Sequence, residues 1–123
     1  MTATSAATPL IVVRIEGPLH ARPQVASDRR AAALAAFIQS DIQADAAAAH
    51  DWLDRLDAVA SGRVADDEGT GNAFTLTLDR EGATLTNAIF DDAADEEFRF
   101  THAEIRAALC CVLEAMLTGR HCP

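Results

Sequence analysis

From residue 74 the chain alternates apolar and hydroxyl side chains, Phe74-Thr75-Leu76-Thr77-Leu78, the period-two pattern of a strand with one buried face. Arg80-Glu81-Gly82 then supplies a short turn whose glycine can take a positive φ, and "ATLTNAIF" reads as the returning strand. Phe98-Arg99-Phe100 repeats the alternation over three residues, so three antiparallel strands are predicted in the second half of the chain. Near the start, "LIVVRIE" (10–16) has the β-branched content of a strand, ended by Gly17-Pro18.

The remaining apolar positions follow a helical period. Ser27 is expected to cap a helix through "DRRAAALAAFIQ", with Leu34, Phe37 and Ile38 on one side. Ser40-Asp41-Ile42-Gln43 reads as a capping box that restarts a second helix. At roughly 100° per residue, Ile42, Ala49, Trp52, Leu53, Leu56 and Val59 share a sector of about 120°. Asp51, Asp54 and Asp57 lie outside it as an acidic edge, and Asp41 and Asp45 fall in the first turns, where negative charge suits the helix dipole. Ser61-Gly62 ends this helix. A second capping box, Thr101-His102-Ala103-Glu104, opens a last helix. That helix aligns Ile105, Ala108, Leu109, Val112, Leu113 and Met116 before Gly119 stops it. The segments "GPLHARPQVA" and "RVADDEGT" read as a loop and a polar link. The expected fold is α+β: a small, mainly antiparallel sheet of three to four strands packed against two to three helices. One domain over 10–119 is expected, with tails at 1–9 and 120–123.

With 123 residues, half of them apolar, the chain can bury one core. Nineteen Asp and Glu against ten basic residues leave a net charge of −9, which argues against a nucleic-acid binder and favours a basic protein partner. "MTATSAATPL" has no basic leader region, and the run Leu10 to Val13 is too short for a membrane span, so a cytoplasmic location away from membranes is expected. Three cysteines, two of them adjacent, make no disulfide framework and fit a reducing compartment.

Catalytic signals are weak. The four histidines, at 20, 50, 102 and 121, show no metal-ligand spacing; His102 reads as a surface residue beside its cap, and His121-Cys122 as a tail. Cys110 and Cys111 sit inside the last helix, where nothing lowers a thiol pKa, and read as small hydrophobes. No G-x-S-x-G stretch supports a triad, and Gly69 and Gly71 flank a strand start as turn residues rather than opening a helix as a phosphate cradle. Neither metal, cofactor nor enzymatic activity is expected. What remains is acid: Asp66, Asp67 and Glu68 before the hairpin, and Asp91, Asp92, Asp95, Glu96 and Glu97 after it. In a three-strand meander those segments lie at one end of the sheet, which would merge eight carboxylates into one surface. The bland alternative is solubility.

The string "GTGNAFTLTLDREGATLTN", the acidic gap after it, the Phe-Arg-Phe strand and the capped helix "THAEIRAALCCVLEAML" resemble the C-terminal half of small immunity proteins of bacterial contact-dependent growth inhibition systems. They also resemble the uncharacterised YacL-like family. The resemblance covers roughly the second half of the chain and implies a cytoplasmic protein that binds the toxic C-terminal domain of a delivered effector, commonly a nuclease, and blocks its active site. The expected assembly is a heterodimer of this chain with its cognate toxin domain. An acidic inhibitor would mimic the phosphate backbone and gain association rate by steering. Two competitors remain: an acidic secretion chaperone that dimerises and holds an effector along apolar surface, and a small enzyme, for which no constellation of side chains is visible.

Overall fold

The computed structural model describes residues 9 to 87 and 96 to 118. In chain order these form β1 (Ile11–Ile15), β2 (Leu19–Pro23), α1 (Arg29–Phe37), a π-helical turn (Ile38–Ile42), α2 (Ala46–Ala60), β3 (Asp66–Thr70), β4 (Phe74–Asp79), β5 (Gly82–Asn87), β6 (Glu97–Phe100) and α3 (His102–Thr118). The fold is α+β. Strands β3 to β6 make an antiparallel meander in sequence order, and β1 with β2 makes a separate hairpin.

The alternation read at β4 sets the layers. Phe74, Leu76 and Leu78 are buried, and the cross-strand pairs Leu76 with Leu85 and Leu78 with Ala83 put β5 in the same inner row. Thr75, Thr77, Thr84 and Thr86 form the opposite face. The helical layer covers the inner row, with α2 and α3 packed on each other, and the β1–β2 hairpin packs on α1 and α3. Ile11 and Val13 of the hairpin, Leu34 and Ile38 after them, and Ile105, Leu109 and Val112 of α3 belong to one continuous core. Phe37 meets Phe74 edge to face, ring centres 6.3 Å apart, where α1 ends over the start of β4.

The capping box of α3 forms as expected: Thr101 N–H donates to Glu104 Oε1 (2.9 Å) and Glu104 N–H to Thr101 Oγ1 (3.0 Å). The face Ile105, Ala108, Leu109 and Val112 is buried, with Leu113 and Met116 packed against the core; Gly119 lies outside the described residues. In α2, Ala49, Leu56 and Val59 are buried and Asp51, Asp54 and Asp57 exposed, and Ser61 with Gly62 closes the helix.

Four expectations are corrected. Residues 19–23 are a strand, not a loop: Leu19 and Ala21 face the core while His20 and Arg22 face out. Pro23 is tolerated because its nitrogen lies on the hairpin's open edge, where the strand needs no donor. The cap of α1 is Asp28, not Ser27; its carboxylate accepts the Ala31 N–H at 3.1 Å and suits the positive helix end. The box at Ser40 does not form. There α1 widens into the π-helical turn, closed by Gln43 N–H to Ile38 C=O (2.7 Å), and Ser40 Oγ donates back to Ala36 C=O. Helix α2 starts instead at Asp45, whose Oδ1 accepts from Ala47 N–H (3.0 Å) and Ala48 N–H (3.2 Å). Finally, "DDEGT" is strand β3 rather than a link.

Candidate functional site

β3 decides where the acidic residues go. Its register on β4 pairs Asp66 with Asp79 and Thr70 with Thr75, so Asp66 and Asp67 lie at the end of the sheet where β4 finishes. Glu97 pairs with Thr86 of β5, near the end where β4 begins. β3 and β6 are also opposite edges of the meander. Asp66–Glu68 and Glu96–Glu97 are therefore separated both along and across the sheet, so among the described residues the two segments do not merge; Asp91, Asp92 and Asp95 lie outside the described residues. The physical reason is simple. Counting 66–68 as a loop before the first strand omits one antiparallel strand, and each such strand reverses the end at which a segment lies.

Asp66–Glu68 instead join α2. Asp66, Glu68 and Thr70 point to the outer face of the sheet, while Asp67 and Gly69 point toward the helix. Asp67 grips Arg55 with both oxygens, Arg55 Nε to Oδ2 at 2.8 Å and Nη2 to Oδ1 at 3.0 Å. Arg55 also donates to the Glu68 carbonyl at 2.9 Å, reaches Asp51 at 3.4 Å, and stacks 4.0 Å from the Trp52 ring centre. Gly69 is a close-approach glycine inside a strand rather than a turn residue: a Cβ there would stand 2.8 Å from the Trp52 ring. An acidic strand with glycine and aspartate on its inner side has no apolar alternation, which is why local pattern missed it.

Outside this clamp the carboxylates stand on two separate surfaces, Asp51 and Asp54 on the exposed side of α2, and Asp66 and Glu68 on the outer face of β3. Asp57 of α2 is paired with Arg106 of α3. Glu68 accepts from Thr77 Oγ1 at 3.2 Å; Asp54 and Asp66 have no cationic partner among the described residues. At the far edge, Glu96 pairs with Arg29. The sequence had shown the aspartates of α2, but nothing local tied them to β3.

The hydrogen bond from Arg55 holds the Asp67 carboxyl below its ordinary value of 3.8, against burial acting the other way. The same bond raises Arg55, so the pair stays charged. Because the folded value of Asp67 is depressed, the stabilisation is complete above about pH 5 and is lost as pH falls through the unfolded value of 3.8 toward the lower folded one. Between about pH 6 and about pH 2.5 the native protein is expected to lose more stability than Asp67→Asn, as measured by urea midpoints at both ends. Equal losses would mean that the clamp contributes nothing.

Comparison of the chain with protein-family models, with curated proteins and with solved structures finds no match.

Other candidate groups have structural explanations. His102 is half-buried, and its Nε2–H donates to the Asp79 carbonyl at 2.7 Å, so it ties α3 to the β4–β5 turn rather than standing free on the surface. Cys111 is buried in the core as expected, whereas Cys110 is exposed on the other side of α3. Among the described residues no group of three or more His, Cys, Asp or Glu is placed to hold a metal ion, and no helix is long and apolar enough to cross a membrane.

Proposed function

We propose that this protein is an immunity-type inhibitor: it binds a cognate toxin domain, a nuclease with a basic cleft, and covers that cleft with the acidic outer side of β3. The observation that carries this reading is the pair Asp66 and Glu68, exposed on the outer side of an edge strand that the Arg55–Asp67 clamp locks to α2, with no cationic partner among the described residues. A rigid, pre-charged surface pays little ordering entropy on binding and steers a cationic partner by its field. The partner supplies the toxic activity and this chain needs no catalytic group.

The chaperone alternative requires a contiguous exposed apolar groove. The large exposed hydrophobic side chains among the described residues are Val25, Val64 and Leu117, which stand in three different parts of the chain.

The test is co-purification with the toxin domain encoded immediately upstream, followed by nuclease assays and association kinetics. The double variant Asp66→Lys, Glu68→Lys is expected to slow association by about tenfold or more at low salt, with the difference shrinking as salt rises. Glu97→Lys, on the far edge, serves as the comparison. An unchanged association rate in the double variant would remove this side of β3 from the interface. Failure of the upstream domain to bind or be silenced would remove the immunity reading itself.

A further inference from the structure

The chain has ten arginines and no lysine, and most of the described ones are spent on the fold. Arg29, Arg30, Arg55 and Arg106 pair with carboxylates of other elements, and Arg99 donates to Thr84. The outer face of the β1–β2 hairpin differs. Its register sets Arg14 opposite His20 and Val12 opposite Arg22, which gathers two guanidinium groups and an imidazole around Val12. Neither the Arg22 nor the His20 side chain has a hydrogen-bond or ionic partner among the described residues. Arg14 has Glu16 at 3.2 Å, a pair whose side chains are 53% and 63% exposed and which a ligand can displace at small cost.

These side chains line a hollow of about 170 Å³. It adjoins a larger one of about 370 Å³ through two shared residues, His20 and Gln39. Gln39 is held for this position: its Oε1 accepts the Ala21 N–H at 2.9 Å, so its NH₂ group is the end left to donate. The larger hollow is walled by Pro18, Leu19, Gln43 and Asp45. Gln43 donates through Nε2 to the Ser40 carbonyl, which leaves its side-chain oxygen as an acceptor. Its backbone adopts φ 59° and ψ −157°, a conformation that only glycine enters readily and that costs on the order of 1–3 kcal/mol. Thus one end of the groove holds donors and positive charge, the other acceptors and small apolar surface, and a π-helical turn with a strained exit forms the wall between β2 and α2.

We propose that this groove binds a small organic phosphate. The phosphoryl group sits between Arg14, Arg22 and His20, where two forked cations and the Gln39 amide match a dianion with three acceptor oxygens better than a single carboxylate. The hydroxyl-bearing remainder lies in the larger hollow against Gln43 and Asp45. Together the two hollows fall in the size range of small-ligand sites. This site is separate from the acidic outer side of β3, and its occupancy does not depend on that side having a partner.

The experiment is an NMR titration of the full chain with inorganic phosphate, a panel of phosphate monoesters (glycerol 3-phosphate, ribose 5-phosphate, adenosine monophosphate) and unphosphorylated ribose. Saturable shifts are expected at the Ala21 amide and the Gln39 side-chain NH₂, with at least one monoester binding about tenfold more tightly than inorganic phosphate and ribose giving none. Arg22→Gln and Arg14→Gln are each expected to weaken binding about tenfold or more, and Arg80→Gln, an exposed arginine elsewhere, to leave it unchanged. The inference is overturned if no phosphate gives saturable shifts up to about 10 mM, or if Arg22→Gln binds as well as the native chain. It is equally overturned if no monoester exceeds inorganic phosphate.

Discussion

Gly82→Ala is expected to cost about 3–5 kcal/mol, a large part of the stability of a domain this size. Two effects add. Gly82 sits at φ 154°, which an L side chain rarely adopts, and a Cβ built there would lie 2.5 Å from the Phe100 carbonyl oxygen. That oxygen is backbone of β6, so no rotamer change relieves the overlap. The turn around Gly82 is over-determined as well. Asp79 Oδ1 accepts from Glu81 N–H (2.9 Å) and Gly82 N–H (3.0 Å), and the Asp79 carbonyl accepts from His102. For alanine to fit, β6 must move away from β5, and the start of α3 would follow it. Urea denaturation should show a much lower midpoint with an unchanged slope. A loss below about 1 kcal/mol would mean that the turn relaxes locally and that β6 is not held against it.

Asp41→Ala is expected to cost about 2–4 kcal/mol, well above the roughly 1 kcal/mol of an ordinary helix-cap deletion such as Asp45→Ala. Asp41 lies in the π-helical turn, 32 residues from the β3–β4 connection that it organises. Its two oxygens accept the Ala73 N–H at 2.9 Å and the Phe74 N–H at 3.0 Å, and the neighbouring Ser40 carbonyl accepts from Asn72 at 2.8 Å. The carboxylate occupies the space where a Cβ on Gly71 would stand. Truncation leaves two N–H groups without an acceptor in a half-buried site, and such groups cost more when orphaned than their bonds contribute when made. Asp41→Asn keeps one acceptor oxygen and should recover about half of the loss. Equilibrium unfolding measures the cost, and faster hydrogen exchange at Ala73 and Phe74 would localise it. A smaller effect for Asp41→Ala than for Asp45→Ala would refute this assignment.

Both residues show how local and distant information divide in this chain. Gly82 was legible as a turn glycine from the alternation on either side, but the close passage of Phe100 was not. Asp41 read as a helix-start charge because the capping-box pattern is local, yet its acceptors were taken by a loop that no nearby residue announces.

The candidate site divides in the same way. The acidic residues are visible as residues, and Asp51, Asp54 and Asp57 are visible as the outer edge of α2. The placing of Asp66 and Glu68 on an outer sheet face depends on β3, whose inner side is filled by a guanidinium and an indole from α2 instead of by its own apolar side chains. The hairpin groove was hidden for a similar reason. Arg14 and His20 are six positions apart, and only the β1–β2 register makes them neighbours.

By itself, then, the sequence determined the elements whose stabilising interactions lie within a few residues: the alternating strands β4, β5 and β6, the reciprocal cap and buried face of α3, the acidic edge of α2, and with them the α+β class. The tertiary structure alone decided the strand status of 19–23 and 66–70, the π-helical turn at Ile38–Ile42, and which charged groups became neighbours. Periodicity and capping are short-range energies that leave a mark in adjacent residues. Edge-strand pairing, ion clamps and close backbone approaches draw their energy from partners far along the chain, and that energy appears only once the register has brought the partners together.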